Sequence, residues 1–288
     1  MRNDGIDRGL RPGRDSLPLV GTVGALYLLV ALGERALSGV VSVPALSVVD
    51  LTAALPVPVL LAAGPAALWG ILFGHVLSDA ATSSLGPGTL VGAGAHLYLG
   101  YATCTLLRRS DAPRASDSAG LGRFVLAVAV AAAGAAAISG WGGEAIHRTP
   151  FFVAAPAAFA EFTLLSVPFA LPLAGLFRRV ASAGASAFDI TAAPRRRFDG
   201  HPDLRRVTAV TVGWVVVGTV ASVGYRMFET VPAGAFTSRD LDFVLLLRQP
   251  TLFGPGAGRL QVLLGAVLLS FLVVLLADPS DRGGTPVR

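Results

Sequence analysis

Four ionisable residues stand inside long apolar runs of this chain: His75, Asp79, His96 and Glu161. A charge in hydrocarbon costs about 2.5–3.5 kcal/mol even on lenient insertion scales, so such groups mark a solute or ion path, a relay or an internal pair. Imidazole and carboxylate together suit a small polar solute, a proton or a divalent cation. His75 and Asp79 are four residues apart and share one helix face. His96 stands between Gly92 and Gly100 on a small-residue stripe, which turns it toward a neighbouring helix. Counted inward at 1.5 Å per residue, Asp79 lies about 5 Å deep, His96 about 9 Å, His75 about 10 Å and Glu161 about 15 Å. These depths predict a polar pocket opening outward, with Glu34, Glu144 and His147 near its mouth and Trp69 or Tyr98 as apolar walls. Glu161 has no opposite charge nearby in sequence and has to meet His96 or His75 across the bundle, or be carried neutral. The bland alternative makes Asp79 a helix end among headgroups and each histidine a hydrogen-bonded packing residue.

Other chemistries find no support. His75, Asp79 and His96 are suitable metal ligands, but no closely spaced His/Cys motif accompanies them, so any metal stays unassigned. Neither G-x-S-x-G nor H-E-x-x-H occurs, so no catalytic residue is assigned and no enzyme is expected. The chain has no lysine. That excludes a retinal or pyridoxal Schiff base and the phosphate-binding lysine of a P-loop, so no cofactor is expected and ATP-driven work must come from a partner. The single cysteine, Cys104, rules out an intrachain disulfide and packs as a small hydrophobe.

The elements that must position these residues are membrane helices. Of 288 residues, 53% are hydrophobic and 14% charged, with mean hydropathy +0.66. A soluble domain carries about 25% charged residues. The apolar runs are about 16–27 residues long, enough for helices to cross a bilayer, and they lack the alternation of a β-barrel. The expected fold is an all-α integral membrane protein, a polytopic bundle of about eight transmembrane helices at 17–33, 50–64, 66–82, 90–107, 123–140, 151–177, 207–225 and 260–277, with both termini cytoplasmic. Arg2, Arg8, Arg11 and Arg14 before the first run imitate a signal peptide, but Gly33-Glu34-Arg35 offers no A-x-A site, so the first helix is expected to be retained.

Gly64-Pro65 predicts a helical hairpin between the second and third runs. Arginine placement agrees: with eight spans, only Arg35, Arg148, Arg226, Arg239, Arg248 and Arg259 of the 23 arginines fall outside. The net charge of +5 thus reflects orientation, with no basic face for nucleic acid. The domains read as a cytoplasmic basic tail at 1–16, a six-helix bundle at 17–177, and a basic loop at 178–206 drawn to membrane lipids. Two further helices follow at 207–277 with an external loop at 226–259, in which Leu241–Leu247 lies in the interface or re-enters, and then a cytoplasmic tail at 278–288. Stripes at Gly70/Gly74/Ser78, Gly92/His96/Gly100 and Ala127/Ala131/Ala135 predict close helix packing. Prolines 56, 58, 156, 168 and 172 read as interior breaks that free carbonyls and line a cavity, or as kinks that only shape packing.

The stretch Gly64-Pro-Ala-Ala-Leu-Trp-Gly-Ile-Leu-Phe-Gly-His-Val-Leu-Ser-Asp79 resembles a segment of the substrate-binding S components of energy-coupling-factor transporters, and runs one to six (17–177) are similar to them in outline. The resemblance implies a six-helix bundle that binds a vitamin or metal ion from outside and pairs with a coupling membrane subunit and two ATPases. The last two spans are extra. The expected function is therefore binding of a small solute or ion as a subunit of an uptake transporter. Eight spans with a P-x-P…G-P hairpin also look like bacterial membrane sensory domains, so a sensor, or a non-catalytic assembly protein, is the alternative.

Overall fold

The structure is a computed structural model that describes residues 17–40, 50–107, 118–146, 149–183, 204–230 and 259–277. Both tails, His147, most of the two basic loops and the external loop from 231 to 258 lie outside the described residues. Among the described residues there is no strand. The helices are α1 (Leu17–Val40), a 3-10 turn (Leu51–Ala54), α2 (Pro56–Ala63), α3 (Ala67–Ala81), α4 (Pro87–Leu106), α5 (Ser118–Ala145), α6 (Phe151–Ala183), α7 (Leu204–Thr230) and α8 (Arg259–Ala277). Each of the eight runs read as spans is helical over most of its described residues.

Four stretches are long and apolar enough to cross a bilayer: Leu17–Leu37, Ala119–Ala145, Phe151–Arg179 and Leu204–Gly224. The outward faces are aliphatic as well. Leu29, Leu90, Leu164 and Val220 are each at least 67% exposed. A surface of this kind suits acyl chains and not water.

The second run is not the continuous helix expected for 50–64. It is a 3-10 turn followed by an eight-residue helix. Pro56 starts α2 and Pro58 lies in its first turn, where a missing N–H costs nothing because that donor has no partner inside the helix. The reading of these two prolines as interior breaks is therefore corrected. Pro156, Pro168 and Pro172 do lie inside α6, which continues through all three. The break between the second and third runs is found where expected. Gly64 takes φ +80°, a conformation that a side chain would strain. Its N–H closes α2 on Leu60 O at 2.8 Å, and its carbonyl accepts from Ala67 N at the start of α3.

Small residues set the helix spacing, as the stripes predict. A Cβ at Gly70 would lie 2.5 Å from Val23 Cβ, and one at Gly74 would lie 2.6 Å from Tyr27 Cβ and 2.8 Å from Gly24 O. α1 and α3 are thus in backbone contact, with Tyr27 lying across Gly74. Ala127, Ala131 and Ala135 are all buried, and Ala131 and Ala135 belong to the larger core with Phe124, Phe151 and Trp214. A second core joins α1, α2 and α3 through Tyr27, Val59, Leu60 and Ile71. α7 docks where the Phe151 ring lies over Gly218.

Candidate functional site

The polar residues collect where α1 and α3 end and the 3-10 turn and α4 begin. Their centre is the Tyr27 hydroxyl, buried at 1% exposure. It lies 2.8 Å from Thr52 Oγ1, 2.7 Å from His75 Nδ1 and 3.1 Å from His96 Nδ1. The two imidazoles are edge-on, with centroids 5.4 Å apart, and Phe162 of α6 closes the far side of His96 at 5.7 Å. Gly92 is the reason His75 fits: a Cβ there would stand 2.8 Å from the ring. The sequence thus supplies one hydroxyl on α1 and one imidazole on each of α3 and α4, with glycines that let the three helices close on them.

Two carboxylates face the histidines from opposite sides. Asp79 Oδ2 is 3.8 Å from His75 Nε2, and Asp50 Oδ2 is 3.7 Å from His96 Nε2. Both gaps exceed hydrogen-bond length. Asp79 is also held by the Thr89 hydroxyl, which donates to Oδ2 at 2.7 Å, and by Arg35 at 3.7 Å from Oδ1. Asp50 Oδ2 has no such support among these contacts, and its side chain is 44% exposed.

The 3-10 turn explains the other acids. A helix N-terminus leaves its first N–H groups without intrahelical acceptors. Here three successive amides are met by three carboxylates: Asp50 N donates to Glu161 Oε1, Leu51 N to Glu34 Oε2 at 2.7 Å, and Thr52 N to Asp50 Oδ1 at 2.9 Å. Negative charge at that end is favoured by the alignment of peptide dipoles. Ser166 of α6 donates to Ala53 O at 3.4 Å, fixing the turn from below.

Of the residues expected to form the site, His75, Asp79 and His96 come together. Glu161 joins them through Asp50, and its partner is a backbone amide and not the expected histidine. That correction has a simple cause: the broken second run brings unpaired N–H groups to Glu161 before any imidazole reaches it. Glu34 is at the cluster as expected. Glu144 is buried and ties α5 to its neighbours, accepting from Phe151 N at 3.1 Å and Ser222 Oγ at 2.8 Å. His147 lies outside the described residues.

The two expected walls are elsewhere. Trp69 pairs with Phe73, which is 51% exposed. Tyr98 turns to α5, where its ring occupies the space a side chain at Gly134 would need. Helical rotation turns each of them away from the pocket it was expected to line. The residues that the sequence reading missed are Tyr27, Asp50, Thr52, Arg35 and Phe162. Asp50, an acid directly before the apolar run at 51–63, carries the ordinary signature of a helix start, which identifies a cap but not a ligand.

Chemically, the cluster offers carboxylate oxygens and imidazole nitrogens with one guanidinium. Among the described residues no three His, Cys, Asp or Glu side chains already converge as a metal centre. The chain matches no family model, and no curated protein or solved structure shows significant similarity to it.

Proposed function

We propose that this membrane protein binds a small cationic solute or ion from outside the cell, as the solute-binding subunit of an uptake transporter. The observation that carries this reading is the sign of the cluster. Glu34, Asp50, Asp79 and Glu161 gather around two histidines, and Arg35 pairs with Asp79. Broken helices often present their N-terminal amides to an anionic substrate. Here those amides are already satisfied by the chain's own carboxylates, so an anion finds no donors there and a cation finds acceptors.

Eight spans with cytoplasmic termini would set the cluster at the outer face, because the arginine-rich segments before α1, between α4 and α5 and between α6 and α7 then lie inside. With no lysine for a P-loop, energy would come from separate ATPases through a coupling membrane subunit, as in the S components that residues 64–79 resemble.

Native mass spectrometry of the gently extracted protein tests the binding reading. The expected result is a retained cation or amine that is lost in the Glu161→Gln variant; an empty wild-type protein even after incubation with membrane extract would refute it. The topology is tested in cells after replacing Cys104: cysteines at positions 110 and 186 should resist labelling from outside, and efficient labelling at either would overturn the eight-span arrangement.

A further inference from the structure

Counting hydrogens through the cluster assigns the tautomer of each histidine. Asp50 Oδ1 already accepts from the Thr52 amide, and the Thr52 hydroxyl donates to the same oxygen. Having one hydrogen, Thr52 Oγ1 can only accept from Tyr27, so the Tyr27 hydroxyl spends its own hydrogen there. What is left on the phenol oxygen is two lone pairs, and its two remaining neighbours are His75 Nδ1 and His96 Nδ1. Both must therefore carry the hydrogen at Nδ1 and donate it to Tyr27. In a neutral imidazole the other nitrogen then holds a bare lone pair. Both Nε2 atoms are thus acceptors, and each faces a carboxylate oxygen.

Two acceptors opposed across a gap need a cation or a donor between them. His96 shows this most sharply. Its side chain is 3% exposed, and its Nε2 is buried without a hydrogen-bond partner, aimed at Asp50 Oδ2 across 3.7 Å. The length of the gap discriminates between occupants. With metal–ligand bonds of about 2.1 Å, two ligands of a tetrahedral zinc-type ion stand about 3.4 Å apart. Two acceptors of one ammonium group, each at about 2.8 Å, stand about 4.6 Å apart at the same angle. The observed separation is nearer the metal edge.

We infer that the solute of this site is a divalent transition-metal cation of the zinc class, seated on the edge formed by His96 Nε2 and Asp50 Oδ2. Tyr27 is a positioning residue that locks both imidazoles in the ligating tautomer. This deepens the cation-binding reading above and rests on it. Asp50 lies at the exposed side of the cluster, so an ion can reach the buried imidazole without crossing the core. The protein supplies an incomplete ligand set that water completes. An open sphere of that kind suits a cargo that must leave again, whereas structural ions are enclosed by four protein ligands. Asp79, whose Oδ2 is occupied by Thr89 and whose Oδ1 faces Arg35, makes the His75 side the poorer edge.

The test uses the full chain in detergent, with any affinity tag removed and metal stripped by a chelator, titrated with Co2+ and followed by visible absorption, then displaced with Zn2+. One Co2+ per chain is expected, with bands of nitrogen-containing coordination. His96→Ala and Asp50→Asn should each abolish the bands. Tyr27→Phe, which frees the tautomers, should weaken binding about 10–100-fold without changing the stoichiometry. Asp50→Asn also guards against simple unfolding: its carbonyl can still accept from Thr52 while its amide donates to His96 Nε2 where the ion would sit, so this variant should stay monodisperse. Absence of Co2+ binding by the wild type, or binding that survives both His96→Ala and Asp50→Asn, would overturn the metal assignment. An organic cation retained in native mass spectrometry, under those same conditions, would leave the cation site standing and remove only the metal.

Discussion

Gly74→Ala is the sharpest probe of how the fold positions the cluster. The new methyl carbon would lie 2.6 Å from Tyr27 Cβ, whereas ordinary contacts begin at 3.4 Å, so α1 and α3 must separate there by about 0.8 Å. Tyr27 is carried by α1 and His75 by α3, so the same displacement acts on their 2.7 Å hydrogen bond and takes it to the edge of bonding distance. Overpacking costs about 1–3 kcal/mol and the lost bond about 1 kcal/mol, giving an expected destabilisation of about 2–4 kcal/mol. Against this stands the better helix propensity of alanine, worth at most about 1 kcal/mol. Gly33→Ala supplies the control, because a Cβ there meets nothing within 4 Å. The assay is unfolding in mixed micelles of mild detergent and dodecyl sulfate, followed by tryptophan fluorescence. Gly33→Ala should equal or exceed the wild type. A Gly74→Ala protein as stable as that control would refute the backbone contact between α1 and α3 and with it the geometry around Tyr27.

Three further outcomes follow from other contacts. Gly64→Ala places a side chain at φ +80° and should cost about 1–2 kcal/mol in the same assay. Ser222→Ala removes a donor from the buried Glu144 carboxylate and should cost about 1–3 kcal/mol, while Ser270→Ala, whose exposed hydroxyl donates to Ala266 O of its own helix, should change stability by less than about 0.5 kcal/mol. Glu161→Ala should lose about 1 kcal/mol of cap stability, whereas Glu161→Gln keeps an acceptor for the Asp50 amide and should retain stability while losing solute; equal stability loss in both would mean that the charge and not the cap is what holds the turn.

The helices were legible because their apolar runs are long and broken by unambiguous punctuation, with Gly64-Pro65 as the plainest case. His75, Asp79, His96 and Glu161 were legible for a different reason, the cost of burying ionisable groups in hydrocarbon. That argument is blind to Tyr27, whose phenol is mostly apolar area and hides a hydroxyl on which the 3-10 turn, α3 and α4 converge. It is blind to Asp50 as well, since an acid at the edge of an apolar run is inexpensive wherever it points. Tyr98 failed as a wall because adjacency in sequence ignores helical rotation: it is two residues from His96, and residues two apart on a helix face nearly opposite ways; Trp69, six residues before His75, is turned about 120° from it. Pro56 and Pro58 were misread because a proline at a helix start and one in a helix interior differ only in where the helix begins, and the 3-10 turn at Leu51–Ala54 moved that point.

The carboxylate cap on the 3-10 turn sets a schedule for biosynthesis. Glu161 follows Asp50 by 111 residues. At about 5–20 residues per second, a ribosome needs about 6–22 seconds to make that interval. During it α2 to α4 are made, and first the amide of Asp50 and then the open side of His96 await α6, which brings Glu161 and Phe162. The nascent first half therefore carries a turn with one of its three leading amides unmet, and a half-covered imidazole, until the sixth helix arrives. A chain halted before residue 161 would present that turn to whatever insertion machinery or chaperone waits beside it, so the point of commitment to the native bundle lies in the arrival of α6 and not in the insertion of the helices that hold the histidines.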